Sequence, residues 1–523
     1  MEYRNSYIDT RGATGGRTTF TEAIIRGIAP GGGLFVPKVV PRLALDTILD
    51  FARKPYAQGA ATVFRAFGVD LPSATIDACM ADAYATNFDT PAIAPVQSLD
   101  SGTHILELFH GPTLAFKDMA LQCMPRFFSA SLDALRRADA PEAEEDFLIL
   151  VATSGDTGKA ALEGFADREH TSIIVYYPYE GVSSLQQAQM LTTQGSNVCV
   201  YGLRGNFDTC QTAVKQVFGD AGFAEKLARS YRLRLSSANS INWGRLLPQV
   251  VYYLNAYAQM VASGAVAAGE PIDVCVPTGN FGNILAAWYA AECGTPIERL
   301  LCASNTNRVL ADFINTGSYD IREREFVTTP SPSMDILVSS NLERQLFELN
   351  GRNAEEIRSW MQALGEEQRF TVSRQCFAAL RKRFSADWVS VDESLATIRA
   401  VYAEHHYLLD PHTAVGYTVA ERLRGSNPVL VAATAHWCKF GADVYRGLAG
   451  IRAEEPLPGE LAGLDGFALI RSIAENYEYA GAVPQRMAEL EGKAQRFGEM
   501  RDANAEAVEA SVEEFLRGRG QTA

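Results

Sequence analysis

Short, unbroken apolar runs alternate with amphipathic stretches through the middle of the chain. Runs at 148–153, 173–177, 198–201 and 272–276 have the length and continuity of strands buried on both faces. Between them, apolar positions return at helical spacing over 159–165, near 185–191 and through Phe218, and a long helix is expected over about 243–261. Another apolar run, 429–433, ends at Thr434. Strand and helix in alternation predict parallel pairing and right-handed crossovers, so the fold class is α/β.

The flanks read differently. Thr19 and Glu22 have the spacing of a capping box, so a helix should begin there and close at Gly27, with Gly31-Gly32-Gly33 turning into a strand. After Pro456 the chain is rich in Glu, Ala and Arg, with Leu490, Phe497, Val508, Val512 and Phe515 at spacings compatible with amphipathic helices. That tail is expected to cover a surface of its own chain or of a second copy. Four units are expected: an N-terminal subdomain (1–100), a small α/β domain (101–235), a large α/β domain (236–455) and a helical extension (456–523).

Composition narrows the function. At 523 residues, 47% hydrophobic and 21% charged, the chain can bury a large interior. A formal net charge of -15 argues against a nucleic-acid partner, whose phosphates need a basic face, but leaves room for a small anionic substrate in a local positive pocket. Nine cysteines without paired or metal-ligand spacing fit a reduced, cytoplasmic setting and no metal. No apolar run long enough for a membrane span and no signal-peptide pattern appear, so neither membrane nor export is expected.

Candidate chemistry centres on Lys117, in Glu107-Leu108-Phe109-His110-Gly111-Pro112-Thr113-Leu114-Ala115-Phe116-Lys117-Asp118. A lysine between Phe116 and Met119 is either a snorkelling side chain at a helix start or a desolvated amine made nucleophilic. Gly279-Asn280-Phe281-Gly282-Asn283 follows a strand and opens a helix, which suits either a tight turn or a phosphate held by free backbone N–H groups. Ser154-Gly155-Asp156-Thr157-Gly158 is a second such loop, and its side chains equally suit a helix cap. Arg245 is either a bidentate phosphate ligand or a surface arginine.

The Lys117 segment resembles, almost word for word, the cofactor-lysine segment of threonine synthases. These are pyridoxal-phosphate (PLP) enzymes of the second fold type, like the tryptophan synthase β chain. Thr10-Arg11-Gly12, Gly32-Gly33-Leu34-Phe35-Val36-Pro37, Pro332 to Asn341, Asp410-Pro411-His412-Thr413 and the run ending Thr434-Ala435-His436 are also similar to that family, covering about 7–447. Gly31 stands where the family usually has Asp, and Trp437-Cys438 where it has Pro-Ala before Lys439-Phe440.

The resemblance implies PLP bound covalently to Lys117, its phosphate on Gly279, Asn280, Phe281, Gly282 and Asn283, and its ring nitrogen on Thr434. It implies that Ser154, Asp156 and Thr157 hold the substrate carboxylate and touch the ring's phenolic oxygen, with Asn242 and Arg245 also on the substrate. The implied substrate is O-phospho-L-homoserine, which with water gives L-threonine and phosphate, and the expected assembly is a monomer or homodimer. Two other outcomes of the same fold are a phospho-lyase releasing a 2-oxo acid and a non-catalytic homologue acting as an interaction protein.

Overall fold

The fold was obtained as a computed structural model, which describes residues 6–14, 18–140, 144–179 and 181–519. Residues 1–5 at the polar N-terminus and 520–523 of the tail lie outside these. Two sheets organise the chain. The larger has six strands in the order Phe384–Trp388, Ile297–Ser304, Ile272–Pro277, Val429–Ala433, Thr103–Glu107, Val96–Ser98, and every pairing but the last is parallel. The smaller has five, all parallel: Met500–Asp502, Val198–Arg204, Thr171–Pro178, Asp146–Ala152, Leu233–Ser236. The unbroken apolar runs are these buried strands, as their composition requires.

Two sequence-based expectations are corrected. The run Thr103–Glu107, placed with the small unit by a boundary at 101, pairs with Val429–Ala433 in the large sheet, and that boundary falls between two strands of one sheet. All five of its residues are buried, so it needs neighbours on both sides, and its partner lies far along the chain. The tail is also not helical throughout. Met500–Asp502 adds a parallel strand to the edge Val198–Arg204, while Leu490 and Phe497 lie outside helices.

The rest of the tail packs on its own chain. Val508, Val512 and Leu516 of the helix Ala505–Gly518 are fully buried with Val214 and Val217 of the helix Phe207–Gly219. Ile470 and Ile473 of Gly466–Asn476 pack with Val444 and Leu448, and Trp437 Nε1 donates to the Ala480 carbonyl at 2.9 Å. At the other end, Thr19 and Glu22 form the capping box of Phe20–Arg26, which stops at Gly27 with φ 68°. Phe20 and Phe64 meet Phe127, and Tyr7 meets Trp243, so the N-terminal segment shares one apolar core with both sheets. The helix Trp243–Ala262 is buried almost all round. Among the described residues no helix is long and apolar enough to cross a membrane.

Candidate active site

Lys117 is placed by a turn that runs from the end of one large-sheet strand back against the end of the next. Leu108 N–H donates to the Ala433 carbonyl at 3.0 Å, Phe116 N–H to Thr434 at 2.8 Å, and His436 N–H to Leu114 at 3.1 Å. Gly111 is required inside the turn, because a Cβ there would lie 2.4 Å from Cβ of Asp118. The Asp118 carboxylate accepts from both the backbone and the hydroxyl of Thr113, each at 2.8 Å, and burial pushes its pKa up to about 6. The short helix Lys117–Leu121 then begins with the lysine side chain inside the protein, 8% exposed.

The Lys117 amine donates to Ser333 Oγ at 2.9 Å and lies 3.5 Å from Asp156 Oδ2. Burial lowers its pKa; Asp156 opposes this, and the charges of Arg245 and Lys439 add to the lowering. Asp156 opens the helix Asp156–Phe165 after Gly155, whose φ of 135° and close approach to the Gln186 amide exclude a side chain. Its other oxygen accepts from Gln186 Nε2 and meets Lys439 Nζ, both at 3.0 Å. Burial raises the Asp156 pKa, but Lys439, Lys117 and His412 outweigh it and hold the group ionised far below the ordinary carboxylate range.

This corrects one expectation. An ionised Asp156 committed to two lysines would repel a substrate carboxylate rather than hold it. The hydroxyls of Ser154 and Thr157, half-buried beside it, have no partner among the described residues. Thr153 serves the helix start instead: its hydroxyl accepts from Gly155 N–H at 3.0 Å and Gly158 N–H at 2.9 Å.

The turn 279–283 lies directly behind Ser333, since a Cβ on Gly279 would be 2.4 Å from the Ser333 carbonyl oxygen. Phe281 takes the left-handed conformation at φ 61°, with its ring buried near Phe384. Among the described residues, no backbone N–H of residues 279–284 has a protein acceptor. Side chains do not fill the space: Asn280 Oδ1 accepts from Ser340, and Asn283 Oδ1 accepts from Tyr252 and Tyr253, leaving buried Nδ2 unpartnered. A row of unanswered amides at the start of the helix Gly282–Glu292 has the donor arrangement that suits a phosphate.

Arg245 is 3% exposed and donates Nη1 to the Ala238 carbonyl at 2.7 Å, while Nε has no partner. Burial depresses its pKa to about 10, and no carboxylate pairs with it among the described residues. A guanidinium buried this way calls for an anion that the chain does not supply. Asn242 is another correction. Its Oδ1 caps the long helix at Gly244 N–H (2.8 Å) and its Nδ2 donates to the Ile24 carbonyl (2.8 Å), so both ends are committed to the fold. The Thr434 hydroxyl is buried without a partner among the described residues.

Three contributors were not singled out from sequence. Ser333 and His412 lay in segments noted for resemblance only, and Gln186 carried no signal. His412 Nδ1 bonds Asp410 Oδ2 at 2.7 Å, and Nε2 accepts from Ser333 N–H at 3.2 Å, which orients the ring between the helix cap and the serine. An Asp-Pro-His-Thr helix start was a readable signal, because the capping Asp410 also reaches the imidazole two residues on.

Comparison with known proteins decides the family. Residues 6–84 match the family "Threonine synthase N terminus", 104–434 "Pyridoxal-phosphate dependent enzyme" and 413–512 "Threonine synthase, C-terminal". The chain belongs to the threonine synthase family of PLP-dependent enzymes. It is 38% identical to threonine synthase of Pseudomonas aeruginosa, over 88% of this chain and 93% of that one. It is 44% identical to threonine synthase-like 1 of Macaca fascicularis over 82% of its own length, and spans 58% of the length of that relative. The crystal structures of a PLP-bound threonine synthase from Brucella melitensis (36% identity, TM-score 0.84, 98% of this chain and 100% of that one) and of the yeast enzyme (32%, 0.85, 98% and 99%) share the fold.

The family's cofactor is PLP, and the residues here fit it: a dry amine, a cradle of free amides and a lone buried hydroxyl. Family likeness also reaches residue 512, well past the Gly447 limit read from sequence.

Proposed function

We propose that the chain is a threonine synthase, converting O-phospho-L-homoserine and water to L-threonine and phosphate. The observation that carries this reading is the meeting of a dry lysine, an amide-lined phosphate cradle and a buried guanidinium lacking an anion. One site thus offers two separate features that suit an anion, as a phosphorylated cofactor and a phosphorylated substrate require.

In this reading Lys117 anchors PLP. Gly279, Asn280, Phe281, Gly282 and Asn283 take its phosphate through backbone N–H groups, and the Thr434 hydroxyl meets its ring nitrogen. When bound, PLP makes the Cα–H of an amino acid acidic by drawing its electron pair into the ring. The chain supplies the proton handling and the positioning. A neutral Lys117 Nζ takes the Cα proton, and burial, by lowering its pKa, favours the neutral amine. Ser333 Oγ, 2.9 Å away, holds that nitrogen in place. Arg245 grips the substrate phosphate, raising affinity for the group that must leave. The free hydroxyls of Ser154 and Thr157 receive the substrate carboxylate, with Asp156 kept as counter-ion to the lysines.

A second outcome of the same fold is elimination without water addition, which ends at a 2-oxo acid. One assay separates them: PLP-loaded protein with O-phosphohomoserine, quantifying phosphate, threonine and 2-oxo acid. Threonine equal to phosphate supports the synthase, 2-oxo acid in its place supports the lyase, and no phosphate release sinks both.

A further inference from the structure

Lys439 is a second buried lysine in the site, 1% exposed, on the turn that follows Thr434. Its amine has three neighbours: the Thr113 carbonyl at 2.7 Å, Gln189 Oε1 at 3.1 Å and Asp156 Oδ1 at 3.0 Å. Three acceptors answer the three protons of an ammonium, so the geometry is built for the charged form. The nearer of the two lysines to Asp156 is therefore Lys439, at 3.0 Å against 3.5 Å for Lys117. The carboxylate that should stabilise a charged Lys117 is thus shared with a second cation.

We propose that Lys439 is a positioning residue for the reaction: it occupies Asp156 as a fixed counter-ion and so keeps the nitrogen of Lys117 poor in protons. This rests on Lys117 being the cofactor-bearing residue. No step passes through Lys439, whose amine is taken up by Thr113, Gln189 and Asp156. Its effect has two parts of the same sign: it repels a proton on Lys117, and it shares the anion that would hold one. The other charged groups facing this pair are Arg245 from the long helix, which also repels a Lys117 proton, His412 beside Asp156, and Asp118 beneath Lys439.

The test uses holoenzyme. The cofactor's visible band reports whether the nitrogen contributed by Lys117 is protonated, and spectra are compared from about pH 5 to about pH 10. Borohydride reduction and peptide mapping first establish that the cofactor sits on Lys117; attachment elsewhere overturns the functional reading itself. With attachment at Lys117, Lys439→Met, which keeps the apolar stem, should move the protonated band to higher pH by about one unit. Lys439→Arg keeps the charge and should stay within about 0.3 unit of the wild type. Asp156→Asn removes the anion and should move the band to lower pH. Should Lys439→Met fail to fold, Lys439→Gln, which keeps a donor for the Thr113 carbonyl and removes the charge, decides in its place. Spectra of a folded Lys439→Met or Asp156→Asn variant that match the wild type at every pH overturn the proposal.

Discussion

A buried lysine is costly unless the fold provides for its charge, and Lys117 is provided for only partly. Its close partners are one hydroxyl and one shared carboxylate, which is a poor setting for an ammonium and a good one for a reactive amine. Lys117→Ala should therefore abolish the visible band of the PLP-loaded protein and all turnover while lowering stability little. A cofactor fixed to another lysine by borohydride would contradict this. Arg245 is the other strained charge. Arg245→Met should leave the cofactor band intact, raise KM for the phosphorylated substrate about tenfold or more, and leave folding stability equal or higher. Steady-state kinetics beside thermal melts check both halves, and lost PLP binding with unchanged KM would move Arg245 to the cofactor phosphate instead. Lys117 stood out because a charge interrupts apolar sequence, but only the resemblance to threonine synthases turned it from a snorkelling side chain into the expected cofactor lysine. Ser333 and His412 did not, because a serine and a histidine acquire their meaning only when the fold sets them beside Lys117.

At the scale of elements, the turn 279–283 can be probed without disturbing its neighbours. A Cβ at Gly282 would have as its nearest neighbours Asn341 Nδ2 at 3.4 Å and the Gln249 amide at 3.9 Å, ordinary contact distances. Gly282→Asp should thus fold, yet place negative charge at the amide cradle and weaken PLP binding by about tenfold or more. Unchanged cofactor affinity in the folded variant would show that the phosphate sits elsewhere. The preceding turn carries a pH-sensitive tie: His110 bonds Asp89 Oδ1 at 2.6 Å and Glu107 Oε2 at 2.9 Å. Burial lowers the imidazole pKa, but the two carboxylates outweigh it and lift it to about 9 from a model-compound value of 6.5. A raised pKa means stability that is complete below 6.5 and lost as pH rises through 9, about 1–2 kcal/mol after allowance for the half-open site. Urea midpoints at neutral and high pH should show this loss in the wild type and not in His110→Gln. Strands were read correctly where apolar runs were long, as at Asp146–Ala152 and Ile272–Pro277. Met500–Asp502 escaped because three polar-flanked residues become a strand only when an existing edge offers them hydrogen bonds.

For the whole molecule, the tail is structural. Ending the chain after Glu455 would uncover Val214, Val217, Val444 and Leu448, and leave the edge Val198–Arg204 unpaired. That truncation should aggregate, as read by sedimentation, and not merely lose activity. A monodisperse truncated chain with a native melt would contradict it. The six-stranded sheet also has an order in time. Val429–Ala433 sits between Ile272–Pro277 and Thr103–Glu107, yet it is the last of the six to leave the ribosome. Until it does, the sheet exists as two unjoined halves, one early and one late, each with an open edge. On the proposed site Thr434, the partner for the cofactor's ring nitrogen, follows in the same stretch, so the nascent chain would lack a complete site before that central strand has docked. Loading is thereby tied to near-complete synthesis, and a chain stalled earlier is set apart by its inability to capture PLP.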